Sequence, residues 1–510
     1  MFTPYIDLHC HTNCSDGVLS HQELIDRARS AGIRILGISD HNYTEDLSDL
    51  RKANPDMVLL QSAEFSCRYL DSANQDHELH IIGVGIDRNN KLIKEVLSKN
   101  EPDRRPYIDQ ILHRLRQLGI DIGTYDDIKA RFPDTHHVGR MQIAKVMTEM
   151  NFVNNVDAAF DKYIGAFGER LAYVENPLQY APLEDVVAAI LDAGGVPILC
   201  HLHYYRLDEK ENHRLVKHFK DLAGDKAAME VYYSRYSTSE RYILLQLCME
   251  YGLMISAGSD YHGQAEWETL DNMFSYTVCN DILECLGVEV PNATTPVPLL
   301  VLSGFSGAGK GTISKEIARI GSLPSGQKVS IVVSVTTRQP RNPEDNYIFI
   351  SHDEFKEMVS NHLLFEHNSS YAKNGYGTPK TGLAKVISAG ALPCLEIDRI
   401  GLMGLMLDGK VNPRLIRSVF VAAPADELYR RLVKRGTEDK ASIITRMETA
   451  LAEVYYTRLY SSVIVNHDVA TATKEVLAAF DGVDVLTDFD ITTFCNEMAD
   501  IINRLKHDLL

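Results

Sequence analysis

Short apolar runs alternate with amphipathic segments along the first half of the chain. Tyr5 to Leu8 form an apolar run of strand length, and Ser20 to Ala31 show helical spacing with a capping box at their start. Ile33 to Ile38 form a second strand-like run that ends in a polar cluster. Similar runs recur further along the chain, at Val196 to Cys200, Ala228 to Tyr232 and Leu253 to Ala257. This pattern predicts an α/β fold whose polar site residues follow the carboxyl ends of its strands.

The pattern is interrupted by residues 291–297, a small polar run with two prolines that predicts a linker. An apolar strand, Leu299 to Leu302, follows and leads into a loop rich in glycine, and a helical segment, Ile313 to Ile320, comes next. A strand, a glycine-rich loop and a helix in this order predict a phosphate-binding loop, because backbone N–H groups at a helix start can surround phosphate oxygens.

A chain of 510 residues is too long for one hydrophobic core, and these patterns divide it into four segments. We predict a first domain over residues 1–290, the linker over 291–297, a second domain over 298–487 and a C-terminal helical extension over 488–510. Within the extension, Thr492 to Leu505 have the spacing of an amphipathic helix.

The composition excludes several function classes. The net charge of −18 argues against binding to duplex DNA, which needs a basic surface, but leaves small anionic substrates open. No apolar run approaches the ~18 residues of a membrane span, and the N-terminus lacks a signal-peptide pattern. The nine cysteines contain no CxxC pair, as expected of free thiols in a reducing compartment. We therefore expect a cytoplasmic enzyme that does not associate with membranes.

Nine histidines and acids stand at or near the ends of predicted strands in the first domain. They are His9, His11, Asp16, His41, Glu64, His80, His201, Asp260 and His262. Taken singly, each of these side chains is typical of a solvated cap or a structural histidine, but their shared placement predicts a metal cluster. Imidazole with carboxylate suits Zn, Mn or Fe rather than Ca, and nine candidates exceed the needs of one ion, so we predict two or three divalent ions. Clustered ions of this kind suit the hydrolysis of phosphate esters.

Three motifs carry a family resemblance for this first domain. They are Asp7-Leu8-His9-Cys10-His11, Gly37-Ile38-Ser39-Asp40-His41-Asn42 and Gly258-Ser259-Asp260-Tyr261-His262-Gly263. Residues 1 to about 285 resemble the polymerase-and-histidinol-phosphatase (PHP) family. They most resemble its branch of nucleoside 3′,5′-bisphosphate phosphatases and exonucleases that release 5′-nucleotides. The resemblance implies a distorted seven-stranded (β/α) barrel with a multinuclear metal centre, and Arg140 is its candidate catalytic phosphate clamp.

Two positions depart from that branch. Gln142 stands where the branch usually has a histidine, and Leu202 replaces the proline that commonly follows the motif histidine. His203 comes next in the chain. Both departures leave the predicted metal ligands in place and are expected to change the substrate pocket.

Residues 297 to about 485 resemble guanylate kinase, and the resemblance implies a phosphate-binding-loop nucleoside monophosphate kinase with a parallel sheet that uses ATP and Mg. Its implied catalytic residues are Lys310, Arg435 and Arg446. Its implied nucleotide-binding residues are Gly304, Ser306, Gly307, Ala308, Gly309, Lys310, Gly311, Thr312, Ser334, Arg338, Arg341, Tyr347, Glu366, Tyr376, Thr378, Asp398, Arg431 and Asn466. Departures are a short loop after Arg341, Gly375 in place of an aromatic residue and Ile400 in place of a glutamine.

The acceptor pocket favours guanine on chemical grounds. A guanine needs an acceptor for its N1–H and N2–H2 groups, which Glu366 can supply, and a donor for O6, which Ser334 or Thr378 can supply. Several cations and hydroxyls can hold the acceptor phosphate by charge-assisted hydrogen bonds. GMP is therefore the expected acceptor.

The leading hypothesis is a bifunctional enzyme acting on small-molecule nucleotides. The first domain hydrolyses a phosphate from a nucleotide, such as a nucleoside 3′,5′-bisphosphate or monophosphate, and the second phosphorylates GMP. Two alternatives stay open. In one, the second domain senses a guanine nucleotide without catalysis and regulates the first; in the other, the first domain is a nuclease on short RNA. The sequence indicates no oligomeric state.

Overall fold

The structure is a computed structural model, and it describes residues 5–100, 104–136, 138–166, 168–175, 180–263, 270, 274–290, 297–340, 347–368, 374–434 and 439–507. The chain divides into two compact units, Met1–Ala293 and Thr294–Leu510. Most of the predicted linker lies outside the described residues, so its bounds stay a prediction. Among the described residues, no helix combines the length and apolar character that crossing a membrane requires.

The first unit is built on one sheet of eight strands. They are β1 (Tyr5–Cys10), β2 (Ile33–Ile38), β3 (Val58–Leu70), β4 (Asp76–Val84), β5 (Val196–Leu199), β6 (Ala228–Tyr233), β7 (Met254–Gly258) and β8 (Phe274–Ser275). The strand order is β7-β6-β5-β4-β3-β2-β1-β8. A parallel bridge from Cys10 to Tyr261 brings the end of β1 beside the segment that follows β7, so the sheet nearly closes.

This arrangement confirms the predicted seven-stranded barrel, to which β8 adds two residues at the edge. The distortion comes from β4, which pairs antiparallel with both β3 and β5. The other neighbouring pairs among strands β1 to β7 are parallel. The predicted capping box is present, since the Ser20 side chain accepts from Glu23 N and the Glu23 side chain accepts from Ser20 N. The parallel strand ends therefore point to one rim, where polar side chains can converge.

Eleven α-helices are described in this unit. They are α1 (His21–Ser30), α2 (Ser48–Ala53), α3 (Lys91–Asn100), α4 (Arg105–Gln117), α5 (Tyr125–Arg131), α6 (Arg140–Glu149), α7 (Val156–Ala159), α8 (Leu183–Asp192), α9 (Glu209–Ala223), α10 (Thr238–Tyr251) and α11 (Asn280–Cys285). Helices α4 to α7 share an apolar core of their own, which includes Ile111, Leu115, Ile143 and Met147.

The second unit has two sheets. A five-stranded parallel sheet has the order β10-β15-β9-β16-β17, and a four-stranded sheet has the order β12-β11-β14-β13. The strands are β9 (Leu299–Gly304), β10 (Val329–Val332), β11 (Ser334–Thr336), β12 (Tyr347–Phe349), β13 (Leu364–Asn368), β14 (Tyr376–Pro379), β15 (Leu392–Glu396), β16 (Ile416–Ala422) and β17 (Ser462–Val465). The predicted parallel sheet is confirmed.

Eight α-helices are described in this unit. They are α12 (Lys310–Ile320), α13 (His352–Ser360), α14 (Lys380–Ser388), α15 (Arg399–Leu407), α16 (Ala425–Lys434), α17 (Lys440–Glu453), α18 (Val469–Phe480) and α19 (Ile491–His507). Helix α12 begins three residues before the predicted start, because the glycine loop runs directly into its first turn. Helix α19 buries one apolar face on the unit, and its Phe494 ring stacks on Phe305 of the loop at 4.9 Å between centroids.

Candidate metal centre and nucleotide cleft

His9 and His11 come from the end of β1, and both side chains are fully buried. Because alternate residues of an extended segment point to one side, the two imidazoles face the same rim of the barrel. Gly258, at the end of β7, leaves the space that His9 needs, since a Cβ at this position would collide with the Cβ of His9. Gly258 on β7 thus makes room for His9 on β1.

All nine predicted ligands converge at this rim. Their side-chain nitrogen and oxygen atoms form four overlapping groups in which the atoms lie within 4.8 Å of one another. The groups are His11–Asp16–His41–His262, His9–His11–Asp260, His9–Glu64–His201 and His41–Glu64–His80. Several ligands are shared between groups, as expected of neighbouring ions that are bridged by common side chains.

Glu64 lies at the middle of this metal cluster. Its Oε1 is 2.9 Å from His201 Nε2 and 3.0 Å from His80 Nδ1, while its Oε2 is 2.9 Å from His41 Nδ1. Burial alone would raise the pKa of Glu64, but the neighbouring imidazoles, led by His41, hold it well below its usual range. The cluster therefore keeps a buried carboxylate charged, which suits a bridging metal ligand.

Several buried atoms of the metal cluster have no hydrogen-bond partner. They are His9 Nε2, His11 Nδ1, His11 Nε2, Glu64 Oε2 and His201 Nδ1. Glu64 Oε2 is within ion-pair distance of His41 Nδ1, but the two atoms lack hydrogen-bond geometry. Buried polar atoms without partners are costly, and native proteins satisfy nearly all of them. Divalent cations would satisfy these atoms with the nitrogen and oxygen donors that such ions prefer, so the residues fit the predicted metals. When bound, such ions activate water and neutralise charge on phosphate oxygens.

Two imidazoles of the cluster, those of His80 and His262, hold their protons tightly in the absence of cations. Burial lowers the pKa of His80, but the charges of Glu64 and Glu78 outweigh this and raise it to about 10. The same competition raises the pKa of His262 to about 10, with Asp16 and Asp260 as the opposing charges. Because a metal ligand must lose its proton, cation binding and proton release are coupled at this site.

The phosphate-binding loop of the second unit adopts the predicted strand–loop–helix arrangement. Gly307 and Gly309 have positive φ angles of 94° and 95°, which glycine adopts without strain. A Cβ at position 309 would also collide with the side-chain amide of Asn466. Lys310 begins α12, and its Nζ lies 3.9 Å from Glu396 Oε1 at the end of the adjacent strand β15.

Comparison with known proteins finds a family match for each of the two units. Residues 7–176 match the PHP domain family and residues 297–482 match the guanylate kinase family. The 5′-3′ exoribonuclease Rnm of Escherichia coli is 31% identical over 265 residues, which cover 51% of this chain and 86% of that enzyme. A guanylate kinase of Clostridium perfringens is 37% identical over 186 residues, which cover 35% of this chain and 81% of that enzyme.

The chain joins a PHP-family unit to a guanylate kinase-family unit. Both are families of enzymes. Among solved structures, an amidohydrolase from Chromobacterium violaceum covers 56% of this chain and 96% of its own length, with 27% identity and a TM-score of 0.48.

Outer residues hold the ligands of the PHP unit in place. Glu230 on β6, which is 1% exposed, accepts through Oε1 from His9 Nδ1 at 2.9 Å and through Oε2 from His201 N at 3.0 Å. Bound in this way, His9 presents its Nε2 to the cluster. Tyr233 on the same strand donates its hydroxyl to Asp260 Oδ2 at 2.7 Å. The sequence prediction missed both residues as parts of the site, although an acid within the apolar run of β6 is itself a signal.

Helix α6 holds the turn that carries Asp16. Lys145 donates from Nζ to Asp16 O at 3.1 Å and to Gly17 O at 3.2 Å, and Gln142 donates from Nε2 to Ser15 O at 3.0 Å. Gln142, one of the two departures from the PHP branch, therefore supports a ligand loop. Arg140 begins this helix, is half-buried, and contributes to the lowered pKa of Glu78, whose carboxylate lies 3.5 Å from His80 Nε2.

The second departure lies in a short turn after β5. His201 has left-handed backbone angles, with φ of 32° and ψ of 48°, and Leu202 starts a 3-10 turn that ends at Tyr205. His203 points away from the cluster, since its Nε2 lies 3.4 Å from Glu240 O. His203 is accordingly absent from the four ligand groups.

A cleft of about 580 Å³ opens beside the loop of the guanylate kinase unit. The predicted catalytic residue Arg446 lines it, and so do most of the predicted nucleotide-binding residues: Gly304, Ser306, Gly307, Gly309, Lys310, Gly311, Ser334, Arg338, Tyr347, Glu366, Tyr376 and Asp398. The cleft is also lined by residues that the sequence prediction did not name, among them Asn368, Asn374, Glu396, Thr449 and Glu453. Arg341 and Arg435 lie outside the described residues.

Glu366 sits in the cleft as expected of a base-reading acid. Its Oε1 accepts from Thr378 Oγ1 at 2.7 Å, and burial, with the nearby charge of Asp398, raises its pKa to about 7. Asp398 accepts from Asn368 Nδ2 at 2.8 Å and caps α15 by accepting from Gly401 N. Asp398 therefore has structural partners as well as a place on the cleft wall.

Two predicted binding residues, Arg431 and Asn466, support the loop from behind. Arg431 donates to Glu427 Oε1, to Ala308 O and to Asn466 O at 2.8 to 3.1 Å. Asn466 donates from Nδ2 to Ala308 O at 2.7 Å. Arg446, in contrast, reaches the cleft, where its guanidinium donates to Ser306 Oγ at 2.5 Å. Gly375 lies against Phe355, whose ring occupies the space of any larger side chain at position 375.

Proposed function

We propose that the chain is a bifunctional nucleotide enzyme. The PHP unit hydrolyses a phosphate ester of a nucleotide with two or three divalent ions, Mn, Zn or Fe, and the guanylate kinase unit phosphorylates GMP with ATP and Mg. The observation that carries the first half is the set of nine converging ligand atoms with unpartnered buried nitrogens and oxygens. The second half rests on the cleft that joins the phosphate loop to Glu366.

The residues of the PHP unit have distinct roles in this proposal. The nine ligands hold the ions, Glu230 and Tyr233 orient His9 and Asp260, and Arg140 binds a phosphate oxygen of the substrate. A rim lined by imidazoles and carboxylates binds a phosphate only when cations offset its negative charge. Activity should therefore depend strictly on added metal.

A second candidate for the PHP unit is a 5′-3′ exoribonuclease acting on short RNA. It is favoured by the exoribonuclease that is 31% identical to this chain over 265 residues. The two candidates share one chemistry, which is metal-dependent attack of water on a nucleotide phosphate. They differ in product, because a phosphatase releases inorganic phosphate and the nuclease releases nucleoside 5′-monophosphates.

A phosphatase that removes the 3′-phosphate of a bisphosphate would supply the guanylate kinase unit, and so would the nuclease. A 5′-monophosphate that leaves the PHP unit is a chemically suitable acceptor for the kinase. Because one chain carries both units, they are present in equal numbers. We propose that the kinase unit is catalytic rather than a guanine-nucleotide sensor. Lys310 and Arg446 support this, because both cations line the cleft beside the loop.

The test is a substrate panel on purified protein loaded with Mn²⁺. The panel contains guanosine and adenosine 3′,5′-bisphosphate, a short 5′-phosphorylated RNA, and GMP or AMP with MgATP. Inorganic phosphate, nucleoside monophosphates and ADP are measured separately. Phosphate from the bisphosphates supports the phosphatase, monophosphates from RNA support the nuclease, and no release of either overturns the hydrolase. A protein that binds GMP but forms no ADP would support the sensor instead.

A further inference from the structure

Tyr204 is an exposed aromatic side chain beside the metal cluster of the PHP unit. It is 51% exposed, and its ring centroid lies 6.0 Å from that of the predicted ligand His201. Among the described residues of this unit, the exposed Phe and Tyr side chains are Phe152 and Tyr204. A single exposed aromatic ring is common on protein surfaces, so the informative feature of Tyr204 is its position beside a predicted metal ligand.

The backbone turn that carries Tyr204 is firmly held. His201 and Arg206, the residues on either side of the turn, both have left-handed φ angles, 32° and 54°, which non-glycine residues keep only where the surroundings fix them. Tyr204 N donates to His201 O at 2.9 Å. The Tyr205 hydroxyl donates to Cys200 O and accepts from His80 N, each at 2.9 Å. The turn therefore presents Tyr204 in one position instead of leaving it on a mobile loop.

The contacts of the Tyr204 ring also place it at the mouth of the cluster. It meets Tyr233 nearly at right angles, with centroids 5.8 Å apart and an interplanar angle of 89°. Tyr233 itself is buried and donates its hydroxyl to the predicted ligand Asp260. Tyr204 is thus the outer member of a chain of side chains, Tyr204–Tyr233–Asp260, that ends at the metal cluster.

We infer that Tyr204 forms a nucleobase subsite, on which the base of the substrate stacks while its phosphate lies at the metal cluster. This inference rests on the proposed hydrolysis of a nucleotide phosphate. Aromatic side chains bind the faces of all four bases with little sequence preference, which suits an enzyme acting on nucleotides or on the end of a single strand. A rigid ring loses little conformational freedom when the base binds, so little of the stacking free energy is offset by a loss of entropy.

The test compares two substrates that differ only in the base. They are adenosine 3′,5′-bisphosphate and its tetrahydrofuran abasic analogue, each hydrolysed by Mn²⁺-loaded wild type, Tyr204→Ala, Tyr204→Phe and the control Phe152→Ala. Tyr204→Ala should lower kcat/KM about 5- to 150-fold for the adenosine compound, mostly through KM, because stacking on an aromatic ring is worth about 1–3 kcal/mol. It should leave the abasic substrate unchanged, and Tyr204→Phe and Phe152→Ala should resemble wild type.

Binding gives a readout that does not depend on turnover. A 2-aminopurine riboside 3′,5′-bisphosphate loses fluorescence when its base stacks on an aromatic ring, and Tyr204→Ala should weaken this quenching while Tyr204→Phe retains it. Equal losses for both substrates, or no loss with Tyr204→Ala, would overturn the subsite. If wild type hydrolyses neither compound, the proposed phosphatase fails and the fluorescence titration still decides the subsite. Metal content that matches wild type in Tyr204→Ala excludes damage to His201.

Discussion

The metal centre and the nucleotide cleft satisfy their polar groups in opposite ways. In the PHP unit, buried nitrogens of His9, His11 and His201 have no hydrogen-bond partner. In the guanylate kinase unit, the cleft cations have protein partners: Lys310 lies 3.9 Å from Glu396, and Arg446 donates to Ser306. The first site is incomplete without ions, whereas the second holds its cations on groups that a nucleotide can replace.

This difference indicates what each site needs before its substrate can bind. A phosphate that reaches the PHP unit meets imidazoles and carboxylates, so cations must be bound before it can bind. A nucleotide that enters the guanylate kinase cleft would only exchange partners, since its oxygens would replace the hydrogen bond from Arg446 to Ser306 and the ion pair between Lys310 and Glu396. The two activities should therefore respond differently to metal removal and to single substitutions.

Removing a metal ligand should have the largest effect. We expect His11→Ala or Asp260→Ala to lower phosphate or monophosphate release at least about 1,000-fold, because outer partners of metal ligands alone are worth roughly 10- to 100-fold. ADP formation from GMP should be unchanged. Metal content by mass spectrometry and both activities are the measurements.

The matched control for this prediction is His218→Ala, which removes a histidine that is paired with Glu184 on the surface of the same unit. It should leave metal content and both activities as in wild type. Full hydrolysis with an unaltered metal content in both ligand variants would show that the assigned ligands are wrong.

Lys310→Ala tests the phosphate-binding loop of the guanylate kinase unit. We expect a loss of about 100- to 1,000-fold in ADP formation, the typical effect of removing one preorganised electrostatic group from a reacting site. Hydrolysis in the PHP unit should be unaffected. Lys315→Ala, a change in the same helix α12, is the control. Unchanged ADP formation in Lys310→Ala would exclude the assigned phosphate loop.

Glu230→Gln should have an intermediate effect confined to the PHP unit. The amide can still accept from His9 Nδ1, but its NH2 group then faces His201 N, so one of the two hydrogen bonds of Glu230 is lost. We expect metal affinity to fall roughly 10- to 100-fold and hydrolysis to recover at high Mn²⁺. A loss of activity that excess Mn²⁺ does not restore, with the fold intact, would contradict a positioning role.

The metal centre was accessible from sequence because barrel topology brings strand ends together. Seven of the nine candidates lie at or beyond the ends of β1, β2, β5 and β7, which the barrel topology carries to one rim. The other two, Glu64 and His80, lie inside β3 and its antiparallel neighbour β4. Glu230 was missed because it lies inside an apolar run of β6, where pattern alone treats it as an interruption. Its burial, at 1% exposed, became evident only from the packing of neighbouring strands.

The roles of single residues in the guanylate kinase unit were harder to predict from sequence than those in the PHP unit. Arg431 and Asn466 stand in the expected order, yet their side chains hold the loop backbone at Ala308 O. Order along the chain does not determine the direction of a side chain, and a cation can serve a backbone carbonyl as well as a phosphate. The nucleotide-binding roles of these residues stay predictions, as does that of Arg435.

The smallest expected effect concerns base choice and pH. The pKa of Glu366 is raised to about 7 by burial and by Asp398, so the free enzyme gains the protonated acid as the pH falls below 7. Only the carboxylate can accept from guanine N1–H and N2–H2 together. For a group with this pKa, kcat/KM for GMP should fall about tenfold from pH 8 to pH 6.

The phosphate of GMP also ionises near pH 6, and it does so with every variant. Comparing wild type with Glu366→Gln therefore separates the titration of Glu366 from that of the phosphate. The variant should lose the part of the pH dependence centred near pH 7 and should also lose much of the preference for GMP over AMP, since AMP has no N1–H to donate. That preference should be worth roughly 1–3 kcal/mol in the wild type, the cost of a mismatched buried acceptor. An identical pH profile in Glu366→Gln, or equal kcat/KM for AMP and GMP in the wild type, would show that Glu366 does not read the base. The proposed supply of GMP from the PHP unit to the kinase unit would then lose its chemical basis.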